Sequence, residues 1–574
     1  MDFTSLKKNL KRDYSGFKPF KLALLGDSSM QLVAQSLRAY GYEVHLNLEI
    51  FEADYQQIDQ LIFDFSSELY LFQPDFVVIF HCTENLQKRF YKTKSGDRAN
   101  FASDQITRFR DMWEAIGTGL PSAKIIFSNF QEIDDGIFGN FANKTKDSLL
   151  HQIRSLNFHL MEVAAGYHNL FINDISSLQN QYGRQWTVDA KIYINADMVF
   201  SLDFLPHVAK NTVDVLQATT GFFKKALILD LDNTIWGGTI GDDGMENIQI
   251  GELGIGKAFT ELQLWARELG HRGIILAICS KNDEKIAREP FEKHPDMILR
   301  LDDIAVFVAN WESKVDNIKS IQETLNIGFD SMVFLDDNPF ERNIVRTHLP
   351  LVSVPELPED PVEYMPYIRT LNLFETASYT QDDSKRTKQY QEESSRVKAQ
   401  KTYTSEDEFL KSLDMTADIS AFDNFNIPRI AQLSQRSNQF NLRTIRYTNG
   451  DVRQVSNDPN YFPLAISLKD KFGQYGLISI VILQKNPISA QKELFIDTWL
   501  MSCRVLRRGV ENLVLNKLVE IAKENGFIRL VGEYLPTPKN ELVKDHYKNL
   551  GFTNHMDHWI LNVDDYIGRL HYIQ

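Results

Sequence analysis

Through the first two thirds of the chain, short apolar runs bounded by turn residues alternate with stretches of helical period. FKLALLG (20–26), EVHLNLEI (43–50), DFVVIFH (75–81), AKIIFSN (123–129) and NLFIND (169–174) read as strands. The first two are separated by a helical stretch at 28–42, and a long helix is predicted over about 144–166. Residues 1–17 read as a short basic amphipathic helix or arm. Strands alternating with helices imply a parallel sheet. The pattern resumes with ALIL (226–229), IILAICSKN (274–282) and SMVFLDDNPFER (331–342), with a helix over 256–270. From about 406 it changes: FPLAISLKD (462–470), GLISIVILQ (476–484) and ELFIDTWLMS (493–502) predict an antiparallel meander. A helix at 509–526, a strand at 528–535, a helix at 539–549 and a last strand near 557–563 complete an α+β pattern. Between the two lies a Pro-rich extended stretch and then QDDSKRTKQYQEESSRVKAQK (381–401), whose mixed charges read as a solvated helix without catalytic duty. No fixed-period repeat is visible.

Composition narrows the class. At 574 residues the chain exceeds one core, so several domains are expected. A hydrophobic content of 43% and a charged content of 24% are ordinary for a soluble globular protein. A net charge of −15 argues against nucleic acid as a partner. Three cysteines, Cys82, Cys279 and Cys503, are too few for a disulfide framework and suit a reducing compartment. The N-terminus lacks an apolar leader and no run is long enough to span a bilayer, so a cytoplasmic location away from membranes is expected.

The chemistry concentrates at strand ends. ALIL runs into Asp230 and Asp232, then Asn233, Thr234 and a Gly-rich turn. Ligands of open α/β sheets bind beyond the carboxyl ends of the strands. Two carboxylates held there repel, and a hard divalent cation such as Mg²⁺ relieves the repulsion. The second strand ends at Ser280 with Lys281 and Asn282 beyond it, Lys314 opens a later helix, and the third strand ends in Asp336 and Asp337. This order of DxDxT, strand-end Ser, Lys and paired Asp resembles the haloacid dehalogenase (HAD) superfamily. DLDNTIWGGTIGDDG, ICSKND, FLDDNPFER and the later RSNQFNLRTIRY resemble its FkbH-like members, subclass IIIC. The resemblance implies Asp230 as nucleophile, Asp232 as proton carrier, and Ser280 and Lys314 on the phosphoryl oxygens. It also implies Mg²⁺ held by Asp230, Asp336 and the Asp232 backbone carbonyl, with Thr234, Asn233, Asn282 and Asp337 behind them or on phosphate. FkbH-like proteins are implicated in taking a glyceryl group from 1,3-bisphosphoglycerate, losing the phosphate, and loading the acyl group onto an acyl carrier protein. Cys279 has two readings: a thiol whose pKa is lowered to accept the acyl group, or a core residue on the alternate face of its strand. Trp236, beyond the nucleophile, is either a gate or simple packing of the hairpin. No insertion large enough for a lid separates these pieces.

The outer regions carry weaker signals. GDSS (26–29) at the first strand end resembles the opening block of SGNH-type hydrolases, which implies Ser28 as nucleophile, Asn85 as a supporting residue and His207 as base. The Asp203–His207 spacing is one residue too long and the GxND block is replaced by HCTEN, so a noncatalytic SGNH-like domain is the favoured reading, with an active esterase as its rival. HYKNLGF (546–552) resembles the close of GCN5-related N-acetyltransferases (GNAT). Arg504, Arg507 and Arg508, before a helix, are candidates for docking an acyl carrier, together with Arg443 and Arg446, although Leu506 and Glu511 degrade the usual phosphate loop.

The expectation is therefore an α/β multidomain enzyme. An SGNH-like α/β domain (1–221) precedes a capless Rossmann-like HAD domain (222–370), a charged helical linker (371–405) and an α+β GNAT-like domain (406–574). Its substrate is a phosphorylated small molecule and its cofactor Mg²⁺. Rival readings are a phosphatase of a sugar phosphate or other metabolite, and a partner-binding scaffold.

Overall fold

The computed structural model describes residues 2–54, 57–380, 383, 385–400, 402–437, 439–485, 492–537, 539–556 and 558–574. The chain divides into two compact units, residues 1–219 and 220–574. The first is built on a five-stranded sheet: β1 (Lys18–Gly26), β2 (Leu46–Glu52), β3 (Phe76–Phe80), β4 (Lys124–Ser128) and β5 (Leu170–Asn173). Their order is β2-β1-β3-β4-β5 and every pairing is parallel. The apolar runs of β1, β3 and β4 are buried on both faces, all five residues of β3 among them, whereas the edge strands β2 and β5 are buried only in part. The predicted long helix forms over Leu149–Ala164.

The second unit contains two sheets. β6 (Ala226–Leu229), β7 (Ile275–Ser280), β8 (Ile304–Ala309) and β9 (Met332–Leu335) form a parallel sheet in the order β8-β7-β6-β9. β6 is central and wholly buried, so its carboxyl end opens between β7 and β9. Between β6 and β7 lie only a short helix (Ile240–Asp243) and the helix Gly256–His271. The third sheet comprises β10 (Thr416–Ser420), β11 (Tyr461–Asp470), β12 (Gly473–Lys485), β13 (Glu493–Met501), β14 (Arg529–Glu533), β15 (Thr553–His555) and β16 (His558–Asn562). β10 to β13 form the antiparallel meander, and β14 pairs parallel with β13 over Glu493–Ile496 only. Past that point the strands part and a separate segment fills the gap: the Leu442 N–H donates to the Trp499 carbonyl and the Leu535 N–H to the Leu442 carbonyl. The RSNQFNLRTIRY stretch thus supplies this wedge.

The charged stretch before this sheet departs from expectation. Helix Arg386–Gln400 is not solvated: it packs against β8 and β12, tying the two sheets of this unit together. Tyr390 joins the core of the four-stranded sheet. The buried Arg396 grips Asp470 at 2.7 and 2.8 Å and lies 4.1 Å over the Tyr475 ring. Counting charges along a sequence cannot separate a wet helix from one whose charges pair across an interface. No helix among the described residues is long and apolar enough to cross a membrane.

Candidate active site at the end of the central strand

Four segments meet at the carboxyl end of β6. The Asp230 N–H donates to the Leu335 carbonyl, which fixes the end of β6 beside that of β9. Asn233 takes a left-handed conformation (φ 53°), which an Asn tolerates, and its side chain accepts the Gly238 N–H at 2.9 Å to close the following turn. Lys314 opens its helix behind the cap Ser313, whose hydroxyl accepts the Val315 N–H. Asn338 caps the helix Pro339–His348, with Pro339 in its first turn. These caps are local sequence signals, and they deliver Lys314, Asp336 and Asp337 to the same rim.

At the centre, Lys314 Nζ lies 2.9 Å from Asp230 Oδ2 and 2.5 Å from Asp336 Oδ2, with all three side chains buried. Burial works against the Lys314 charge, but the two carboxylates overcome it and push the ammonium pKa up. Asp336 is fully enclosed, and burial followed by the like charge of Asp230 pushes its carboxyl up to about 7 despite Lys314. Asp337 is raised by the same two causes in the same order. Oxygens of Asp230, Asp336 and Asp337 lie within 4.8 Å of one another, and Asp230 Oδ1 is buried without a hydrogen-bond partner. An oxygen-only set of this kind, short of donors, suits a hard divalent cation.

Asp232 points elsewhere. Its carboxylate accepts from Trp236 Nε1 (2.8 Å), the Ile240 N–H (3.0 Å) and Asn282 Nδ2 (2.8 Å). Trp236 is therefore no gate: it is fully buried and aims Asp232. Asn282 Nδ2 also reaches Ser280 Oγ at 3.2 Å, linking the two strand ends. Thr234 Oγ1 donates to Asp337 Oδ1 and accepts the Asp337 N–H at 3.1 Å. Two groups thus stand at this strand end: Asp230, Lys314, Asp336, Asp337 and Thr234 in one, and Asp232, Asn282 and Ser280 in the other. Sequence reasoning missed two supports. Arg342 donates to the carbonyls of Asp336 and Asp337, and Tyr364 Oη donates to the Asn233 carbonyl. An Arg five residues after the strand-end pair, in DDNPFER, was the available signal for the first.

Cys279 requires correction as a participant. It is wholly buried among Ala226, Ile228, Ala305 and Phe334 on the opposite face from Ser280, and its thiol lies 3.8 Å from the Lys314 carbonyl. Burial pushes the thiol pKa up, the reverse of what acyl acceptance needs. Lys281, beyond the strand end, pairs with Glu341 at 2.6 Å.

In the first unit, the SGNH-like trio does not assemble. His207 Nδ1 lies 2.9 Å from Tyr182 Oη, its ring packs on Tyr182 and Trp186, and it does not line the cavity that holds Ser28. Asn85 donates to the Asp27 carbonyl, a lock on the backbone after β1. Ser28 is buried, its hydroxyl unpartnered, and its cavity of about 20 Å³ has room for one water. His81, which sequence reasoning passed over, is the residue facing this strand end; Nδ1 lies 3.2 Å from Asp27.

The basic groove also needs correction. Arg508 is buried against Glu393 at 2.7 Å, Arg443 bridges Asp497 and Glu533, and Arg446 donates to the Ser434 and Ser437 carbonyls. Arg504 binds the Gln389 side chain and the Tyr475 carbonyl, and only Arg507 of the five is exposed. These arginines hold the domain together and present no continuous docking face.

Residues 21–217 match the family described as FkbH, N-terminal domain. Among solved structures, the N-terminal part of a Bacteroides fragilis protein, containing a phosphatase domain and complexed with Mg, is 50% identical. The match covers 66% of this chain and 100% of that one, with a TM-score of 0.64. The ribosomal-protein-S18-alanine N-acetyltransferase of Escherichia coli matches 27% of this chain and 99% of its own at 15% identity and a TM-score of 0.21. The GNAT domain of S. lividans PAT matches 25% and 90%, at 16% identity and a TM-score of 0.21. No curated protein matches the chain.

Proposed function

The chain belongs to the family of the Bacteroides fragilis phosphatase-domain protein, and from that premise we propose that it is a Mg²⁺-dependent phosphatase of the HAD type acting on a phosphorylated small molecule. The observation that carries this is Asp230: a buried carboxylate at the central strand end, one oxygen neutralised by Lys314 and the other without a partner. Asp230 is the nucleophile; its oxygen forms a bond to phosphorus as the bond to the leaving oxygen breaks, giving an aspartyl-phosphate. Asp232, aimed by Trp236, Ile240 and Asn282, gives its proton to the leaving oxygen and takes one from the water that later hydrolyses the aspartyl-phosphate. Lys314 and Ser280 hold the phosphoryl oxygens, and Lys314 offsets their charge. Asp230, Asp336 and the Asp232 carbonyl are the residues that would hold Mg²⁺, with Asp337 beside them; the bound ion supplies charge neutralisation at the phosphoryl group.

The finer reading follows the FkbH resemblance: the substrate is 1,3-bisphosphoglycerate. A carrier thiolate forms a thioester with its acyl carbon as the carbon–oxygen bond to the acyl phosphate breaks and that phosphate leaves. Asp230 removes the remaining phosphate to leave a glyceryl group on an acyl carrier protein. With Cys279 enclosed, the accepting thiol in this reading is the carrier's own. The test is phosphate release from a panel of acyl and sugar phosphates with Mg²⁺, with and without carrier, for wild type and Asp230→Asn. Activity surviving in Asp230→Asn overturns the nucleophile. Phosphate release with no acyl-carrier product overturns the loading reading alone.

A further inference from the structure

The sheet that carries Asp230 has no lid of its own. Between β6 and β7 lie only the helices Ile240–Asp243 and Gly256–His271, and the connections after β7, β8 and β9 lead into the helices Glu284–Lys293, Lys314–Leu325 and Pro339–His348. Transfer through an aspartyl group needs bulk water kept out, so the rim needs a cover. What stands around it is apolar and exposed. Trp311, two residues past β8, is 76% exposed; Phe340, three past Asp337, is 65% exposed; Ile286, four past Asn282, is 41% exposed. The helices that follow Trp311 and include Phe340 pack on one face of the sheet and the helix of Ile286 on the other. The segments carrying these side chains therefore reach the rim from both faces.

Both rings are carried on fixed backbone. Asn310 and Asn317 exchange side-chain hydrogen bonds of 3.1 and 2.8 Å, the Asn310 N–H donates to the Ser280 carbonyl, and the Glu312 N–H donates to Asn310 Oδ1. The Phe340 N–H donates to Asn338 Oδ1 at 2.9 Å in the first turn of its helix. An aromatic side chain on a fixed backbone loses little freedom on binding, and such residues anchor protein interfaces. Of the chain's seven tryptophans, Trp311 is the most exposed. Charge selects the partner. Residues 240–246, 281–287 and 310–317 carry seven exposed carboxylates, Asp242, Glu246 and Glu312 among them. Arg288 pairs with Glu284 at 2.8 Å, Lys319 with Asp316 at 3.2 Å, and Lys285 is the one exposed cation within these stretches. The rim is therefore acidic. It repels a free phosphate, and a partner that brings its own cations over it removes that repulsion.

We propose that this rim is the docking surface for a second protein whose contacting face is apolar and basic, with Trp311 and Phe340 as its anchors, and that the docked partner closes the site over Asp230. The closing role rests on the phosphatase reading; the docking does not.

The test uses the full chain and a fluorescently labelled helical peptide of about twenty residues, with leucines on one face and lysines on the other. Anisotropy titration without Mg²⁺ should give one site per chain, with affinity falling as salt is raised and about tenfold tighter than for an oligolysine of equal charge. Trp311→Ser/Phe340→Ser should weaken binding about tenfold or more, and Asp242→Asn/Glu246→Gln/Glu312→Gln about threefold. Ile137→Ser/Phe141→Ser, at exposed positions of the first unit, and Asp230→Asn should bind as wild type. Circular dichroism melting identifies any variant that has lost its fold; if the Trp311/Phe340 variant has, Phe340→Ser alone decides. With Mg²⁺, the peptide should slow phosphate release from p-nitrophenyl phosphate by wild type. Release that the bound peptide does not slow would overturn the closing role, whereas no release at all counts against the phosphatase reading and leaves the titration to decide the docking. Wild-type affinity in the folded variant, binding no tighter than oligolysine, or tighter binding of a glutamate–leucine peptide would each overturn the proposal. Self-association of the chain that the Trp311/Phe340 variant abolishes would assign the rim to a second copy and overturn it as well.

Discussion

Two strand ends in this protein look alike in sequence and differ in what they hold. β1 ends in Gly26-Asp27-Ser28 and β6 ends in Asp230-Leu231-Asp232; each is a central strand of a parallel sheet. At the first, the carboxylate is spent. Asp27 takes His81 at 3.2 Å and the Cys82 N–H at 2.8 Å, and although burial works against its charge these partners hold its pKa below the usual carboxylate value. At the second, carboxylates outnumber cations: one ammonium serves Asp230 and Asp336, and burial and mutual repulsion raise Asp336. The lesson is that an acidic strand end is a site when its charges are left in deficit towards an opening, and a structural joint when they are satisfied.

The comparison breaks most decisively at Asp230. Asp230→Asn should lower turnover on the order of 10⁴-fold or more with an unchanged melting temperature, followed by phosphate release. Next, added Mg²⁺ should raise the melting temperature of wild type by mass action and of Asp336→Asn far less, and chelation should abolish turnover in wild type. Asp27→Ala should instead destabilise the first unit by about 2 kcal/mol, because it leaves the His81 Nδ1 and the Cys82 N–H buried and unpaired, while the folded variant keeps wild-type turnover. Hydrogen exchange of β3 amides reads this loss.

Asp27 also sets a pH signature. Its folded pKa lies below its unfolded value, so it contributes stability above about pH 4 that disappears as pH falls through the folded value. In Asp27→Asn the acid dependence of β3 exchange should flatten over that window. The smallest effects belong to residues that sequence alone made attractive. Ser28→Ala and Cys279→Ala should both leave phosphate release within about twofold of wild type; a larger loss in either would return that residue to the chemistry.

By itself, the sequence determined the two parallel sheets and the residues at the rim of the second. Strand runs such as ALIL and MVFL are buried on both faces and carry no alternation, so their shortness and the turn residues that bound them mark them as strands, and the caps Ser313 and Asn338 specify the helices that carry Lys314 and approach Asp336. Only the tertiary structure decided the partners of polar groups. Helix 386–400 reads as a wet surface, yet Arg396 is buried because Asp470, 74 residues further on, comes to meet it. Cys279 and Ser280 are adjacent in the chain, but the strand pleat turns one into the core and the other to the rim. Trp236 was legible as packing or as a gate, and only the fold put its N–H on Asp232. Periodicity is a property of neighbours along the chain, whereas satisfaction of a charge depends on which distant residue the fold brings within 3 Å of it.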